Sequence, residues 1–208
     1  MVDVDFSEHK EFMKPERLNK LLSKLADNYA KTRAAAARGL GGVMNPEAVP
    51  ALSDALKDET KEVWTAALRS LSEIGSKSAI ETLIDALGDS RAEVRADAAR
   101  HLGMVRAWRA VESLRHSLKA ETDTMAQQEM IEALGRMQDE SALHEIVAFL
   151  TDKHPNIRWS ATWAIGMIGR ATRSKKAVEM LMLLERHNDR RIQHEAATAL
   201  RVINSKQV

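Results

Sequence analysis

Six stretches of this 208-residue chain repeat one another at an almost constant interval. They are TRAAAARGLGGV (32–43), VWTAALRSLSEI (63–74), VRADAARHLGMV (94–105), AQQEMIEALGRM (126–137), IRWSATWAIGMI (157–168) and IQHEAATALRVI (192–203), with starts 31, 31, 32, 31 and 35 residues apart. Self-similarity at a period of about 20–50 residues marks a solenoid or an array. A second amphipathic run precedes each of the later copies: PEAVPALSDAL (46–56), AIETLIDAL (79–87), AVESLRHSL (110–118), ALHEIVAFL (142–150) and AVEMLMLL (177–184). Apolar residues fall at i, i+3, i+4 and i+7, the period of a helix. Each copy therefore predicts a helical hairpin. One hairpin cannot bury its own apolar faces, so the six stack, predicting an all-α, right-handed α-solenoid.

Composition agrees. Aromatics are 4% of residues, and only nine Gly and four Pro occur, which argues against an all-β fold. The absence of cysteine excludes disulfides, zinc–thiolate sites and thiol catalysis. The opening MVDVDFSEHKEFMKP is acidic where a signal peptide carries a basic end, and no run is long enough for a membrane span. The expectation is a cytoplasmic chain with an N-terminal arm or cap at 1–14 and a six-repeat domain at 15–208.

A first helix with AVPAL, a turn with Asp, then VR with a small-residue run and Gly, resembles HEAT repeats, and the short period is similar to the bilin-lyase-type HEAT-like subclass. The resemblance implies a ladder in which a turn Asp and an Arg early in the second helix hydrogen-bond between adjacent repeats. Asp27/Arg33, Asp89/Arg95 and Asp152/Arg158 match it. Asp58/Trp64, Glu121/Gln127 and His187/Gln193 depart from it.

The helical advance of about 100° per residue puts Val94, Ala98, Leu102 and Val105 in the core and points Ala96 and Arg100 away from it. The same two positions elsewhere are Ala34/Arg38, Thr65/Arg69, Gln128/Glu132, Trp159/Trp163 and His194/Thr198. In such solenoids the second helices line the concave surface. The expected groove thus carries Arg38, Arg69 and Arg100, then Trp159 and Trp163 one turn apart, with His194 beyond. Trp and Arg dominate binding hot spots. Trp64 either caps the ladder gap or extends the groove, and Trp108 packs in a turn between repeats.

Catalytic chemistry is sparse. His144/Glu145 and His194/Glu195 read as surface pairs. Deoxyhypusine hydroxylase, a HEAT-like enzyme, holds two irons with several His-Glu pairs on facing second helices, but only His194/Glu195 falls in that register here, and one imidazole cannot build the site. GLGG (39–42) has no preceding strand and is expected to end a helix, not to hold a phosphate. The function expected is a non-catalytic module, needing no cofactor or metal, that binds a protein partner through its concave face. An acidic partner segment would complement the arginines. Two alternatives stand beside it. One is a DNA-binding protein or HEAT-like alkylpurine DNA glycosylase using Trp159, Trp163 and Glu129 or Glu132. A net charge of +1 disfavours this. The other is a bilin-lyase-like or chaperone subunit.

Overall fold

The computed structural model describes residues 15–205. Among these residues the regular elements are all helical. The arm or cap expected at 1–14 lies outside them. The chain divides into two compact units, one ending at Asp85 and one beginning at Ala86.

The first unit holds α1 (Pro15–Lys24), α2 (Ala30–Val43), α3 (Val49–Ala55), α4 (Lys61–Ile74) and α5 (Lys77–Asp85). α1 packs on α2, α3 on α4, α2 on α4, and α5 on both α3 and α4. Ala37, Leu40, Leu52, Leu68 and Leu71 are fully buried there. The second unit holds α6 (Ala92–Met104), α7 (Val111–Ala120), α8 (Thr124–Met137), α9 (Leu143–Val147), α10 (Pro155–Thr172), α11 (Lys175–Leu184) and α12 (Arg190–Asn204). α6, α8, α10 and α12 stack in that order, with α7, α9 and α11 laid on α8, α10 and α12. Leu102, Leu114, Met130, Leu134, Ile157 and Ile168 are buried among them.

The second helices stack closely because glycine recurs where they touch. A Cβ on Gly103 would lie 2.7 Å from the Cα of Ala133, and one on Gly135 would lie 2.8 Å from the Cα of Ala164. Gly41 has the same role against Ser70, 2.9 Å away. GLGG thus lies in the last turn of α2, as expected, but it is not the cap; the left-handed cap is Met44 at φ 53°.

Two expected first helices are also broken. PEAVPALSDAL begins as a 3-10 turn, Pro46–Ala48, capped by the Asn45 side chain, before α3 starts. ALHEIVAFL reduces to α9 between two 3-10 turns. Two core assignments change as well. Val105, expected inside, is 40% exposed because α6 stops at Met104. Ala96, expected outside, is fully buried, since a stacked helix loses its flanks to its neighbours as well as its inner face.

The ladder exists, but its carboxylate comes from the next repeat. Arg33 donates Nε and Nη2 to the Asp58 carboxylate at 2.6 and 2.9 Å, and its Nη1 to the carbonyls of Asp27 and Asn28. Arg95 does the same with Glu121 at 2.7 and 2.8 Å and with the carbonyls of Asp89 and Ser90. The expected pairing of Asp27 with Arg33 and of Asp89 with Arg95 is thus carbonyl to guanidinium, not carboxylate to guanidinium. Likewise the Asp58 carboxylate, set six residues before Trp64, takes Arg33. Gln127 and Gln193 keep only the carbonyl bond, to Glu121 and His187 at 2.8 and 2.7 Å.

Acids with no ladder arginine one repeat earlier are met inside their own turn. Asp89 pairs with Arg91 and Asp152 with His154. Arg158 is the reverse case. It is buried, its Nη1 bonds the carbonyls of Asp152 and Lys153, and its Nε has no hydrogen-bond partner among the described residues. The position that should supply its carboxylate holds His187.

Candidate functional site

The expected surface residues separate by environment. In the first unit, Arg38 is exposed and forms no ion pair among the described residues, whereas Arg69 bonds Glu73 on its own helix at 2.8 Å. Trp64 is not a surface residue. It is 3% exposed, with Lys61 Nζ 5.8 Å from its ring centroid, because its position in the first turn of α4 faces the core. Trp108, expected to pack in a turn, is instead 59% exposed.

In the second unit a polar line crosses α6, α8, α10 and α12. Arg100 donates to Asp97 at 2.6 Å and to Glu129 at 3.0 Å. Glu132 accepts from Gln128, Ser160 and Arg136 at 3.1, 3.0 and 3.1 Å. Thr162 donates to Glu195 at 3.1 Å. Arg100 is thus already neutralised, and its charge is not available to attract an acidic segment.

Trp159 and Trp163 do not share one environment. Trp159 is 56% exposed. Trp163 is half-buried. Its ring edge lies where a Cβ on Gly135 would be 2.8 Å away, and the Arg136 guanidinium sits 5.6 Å from its centroid. Among the described residues the buried Arg136 Nη1 has no hydrogen-bond partner, and the guanidinium gains from the aromatic face instead. Arg136 escaped sequence reasoning. The available signals were its place one turn beyond Glu132 and the Gly135 beside it, which leaves room for a large side chain from the next helix. His194 is exposed, and its carbonyl takes the Thr198 hydroxyl at 2.8 Å.

The His-Glu pairs also differ from each other. Glu195 accepts a hydroxyl, while Glu145 is not a surface residue. It is buried and takes Arg115 at 2.9 and 3.1 Å and Lys119 at 3.0 Å. The Arg115 fork and the Lys119 ammonium hold its carboxyl near 2, against the opposing effect of burial. Among the described residues no group of three or more His, Cys, Asp or Glu can hold a metal ion. No helix of the described residues is long and apolar enough to cross a membrane.

A family model for HEAT repeats matches residues 18–103, 81–165 and 111–201. The chain belongs to the HEAT-repeat family. Solved HEAT-like and armadillo-like structures align over most of its length. The complex of CpcE and CpcF of phycocyanin lyase from Nostoc sp. PCC7120 is 25% identical, covering 89% of this chain and 76% of that one at a TM-score of 0.61. An engineered protein is 24% identical, covering 89% and 96% at 0.57. A designed armadillo repeat protein in complex with the peptide (KR)4 is 18% identical, covering 90% and 99% at 0.55. A search of curated proteins found no match.

Proposed function

We propose that this HEAT-repeat chain is a non-catalytic protein-interaction module, and that a partner segment docks on the solvent side of α8, α10 and α12 with Trp159 at its centre. The observation that carries this is the 56% exposure of Trp159 on a helix whose core positions, Ile157, Ala161, Ile165 and Ile168, are already filled by other side chains. The Trp163–Arg136 stack forms the floor beside it, and His194 lies on the next helix. Trp64 and Trp163 each have a cation over the ring, but Trp159 has none among the described residues. Glu195, on the neighbouring helix, answers only a threonine hydroxyl among the described residues. A partner bringing Arg or Lys would stack on the indole and meet that carboxylate, an interaction worth about 0.5–2 kcal/mol. Arg38 stands as a separate contact on the first unit.

The test follows Trp159 emission in a chain whose other tryptophans are replaced by Phe. A short arginine-rich peptide is expected to change it saturably, and a glutamate-rich peptide of equal length is not. If neither peptide acts, or the glutamate peptide acts alone, the basic-segment reading is wrong.

The likeness to the lyase complex supports a second reading, a subunit acting on a partner protein together with another chain. Co-expression with a second HEAT-repeat chain encoded nearby, followed by size-exclusion chromatography, separates the two. A stable heterodimer with lyase activity would replace the non-catalytic reading.

A further inference from the structure

A cleft of about 540 Å³ opens where α10 ends, α11 begins and the last turn of α12 passes. Its wall carries Arg170, Arg173 and Lys175 against one acid, Glu179. Among the described residues, none of the three cations has a carboxylate partner. This is unlike Arg33, Arg91, Arg95, Arg100 and Arg115, which are all ion-paired. Unpaired cations that converge on a concave surface leave a net positive field in the cleft.

The local backbone acts with both signs: the C-terminal ends of α10 and α12 oppose that field, and the N-terminus of α11 adds to it. Ser174 caps α11 by accepting the Ala177 N–H at 3.1 Å, and it is itself fixed because its hydroxyl donates to Glu140. The free N–H groups of the first turn, at Lys175 and Lys176, leave the positive end of the α11 dipole at the cleft. Arg173, at φ 54°, turns the chain sharply between the two helices and so brings Arg170 and Lys175 to the same opening. Val178 and Ile203 supply an apolar floor. Ile203 reaches it because Gly169 has no Cβ; one there would lie 2.6 Å from the Ile203 side chain.

We propose that this cleft binds a phosphomonoester, its phosphate held by Arg170, Arg173, Lys175 and the α11 N-terminus and its organic part resting on Val178 and Ile203. The volume falls in the range of about 300–1,000 Å³ usual for small-molecule sites, well beyond what a bare anion fills. Glu179, one turn along α11 from Lys175, would take a hydroxyl or amine of the same ligand. The proposal is independent of the Trp159 surface.

The test titrates the full chain with O-phosphoserine and with inorganic phosphate, at constant physiological ionic strength, by calorimetry and thermal melting. One molecule of O-phosphoserine per chain is expected to bind and to raise Tm, and inorganic phosphate to bind more weakly. Arg173→Glu and Lys175→Glu are each expected to weaken binding by about tenfold or more. Arg17→Glu, an exposed cation of the first unit, is expected to leave it unchanged. Absence of saturable binding, or equal binding by wild type, Arg173→Glu and Lys175→Glu, would overturn the site. So would a Tm that falls in Arg173→Gln without phosphate and does not rise in wild type with it. The cations would then serve only the α10 C-terminal dipole.

Discussion

The Arg95 guanidinium and the Glu121 carboxylate meet through two parallel hydrogen bonds, 2.7 and 2.8 Å long, across consecutive repeats. The acid is almost fully enclosed, at 3% exposure against 18% for the arginine. It also accepts the N–H groups of Thr122 and Asp123 and thereby shapes the turn before α8. Removal of the arginine leaves an enclosed carboxylate without its counter-charge, and the Asp89 carbonyl without its donor. Arg95→Ala should therefore cost about 2–3 kcal/mol in urea unfolding. A double-mutant cycle with Glu121→Gln should return a coupling of about 1 kcal/mol or more. A coupling near zero would show that the fork does not bind the repeats together.

The sixth copy offers the reverse experiment. His187 takes the place of Asp58 and Glu121, and its Nδ1 accepts the Asp189 N–H at 3.0 Å, as Asp58 Oδ1 accepts that of Thr60. The turn bond survives with histidine, but among the described residues no carboxylate is hydrogen-bonded to buried Arg158. His187→Asp keeps the acceptor and restores the acid, so it should stabilise the chain by about 1–2 kcal/mol. An unchanged or lowered denaturation midpoint would mean that the Arg158 fork does not point at this turn.

The hairpin periodicity was legible because small and apolar residues recur at fixed offsets, and the helix order follows directly. The ladder was legible only as residue types. Its Asp-to-Arg spacing of six is a carbonyl contact, whereas the ion pairs span 25 residues from Arg33 to Asp58 and 26 from Arg95 to Glu121. Such offsets appear only when each copy is compared with the next one. The same comparison would have found Arg115 and Glu145, 30 apart. Burial of Trp64 and of Ala96 was not legible, because a helical wheel shows one packed face while a stacked helix is packed on three sides. The α10–α11 cleft needs residues of three helices, and no local pattern marks it.

Glycine positions separate packing from propensity. Gly103→Ala places its methyl against the Ala133 backbone, so α6 and α8 must move apart; a loss of about 1–3 kcal/mol is expected. Gly42 meets nothing within 4 Å and lies inside α2, so Gly42→Ala should gain a few tenths to about 1 kcal/mol by propensity alone. Thermal melts of the two variants should shift in opposite directions. A shift in the same direction would show that the close approach at Gly103 is not limiting.

Glu145 gives a pH dependence with a definite sign. Its carboxyl is held at about 2 instead of 4.5, first by the Arg115 hydrogen bonds. A depressed carboxyl contributes stability that is complete above its unfolded value, and that is lost as pH falls from 4.5 toward 2. Asp58 and Glu121 are lowered by their own arginines, so their contributions are lost in acid with the same sign. Glu145→Gln should therefore be less stable than wild type at neutral pH and should lose less stability on acidification. Urea midpoints for both chains at about pH 6 and about pH 3 measure this. A gap between wild type and variant that does not narrow in acid would mean that the Glu145 charge is not what Arg115 and Lys119 stabilise.

The two tryptophans of α10 should respond differently to truncation, although one turn separates them. Trp159 is 56% exposed, so Trp159→Ala should change stability by no more than about 0.5 kcal/mol. Trp163 covers the Gly135 backbone, and the Arg136 guanidinium lies 5.6 Å from its ring centroid. Trp163→Ala removes that packing and leaves the guanidinium edge without its aromatic partner. A loss of about 1.5–3 kcal/mol is expected, below the cost for a fully enclosed ring because Trp163 is only half-buried. Single-Trp chains give an independent readout. Acrylamide should quench Trp159 strongly, Trp163 less and Trp64 least. If Trp159→Ala destabilises as much as Trp163→Ala, the Trp159 indole is packed in solution. A partner would then have to displace it, and the proposed docking surface would lose its centre.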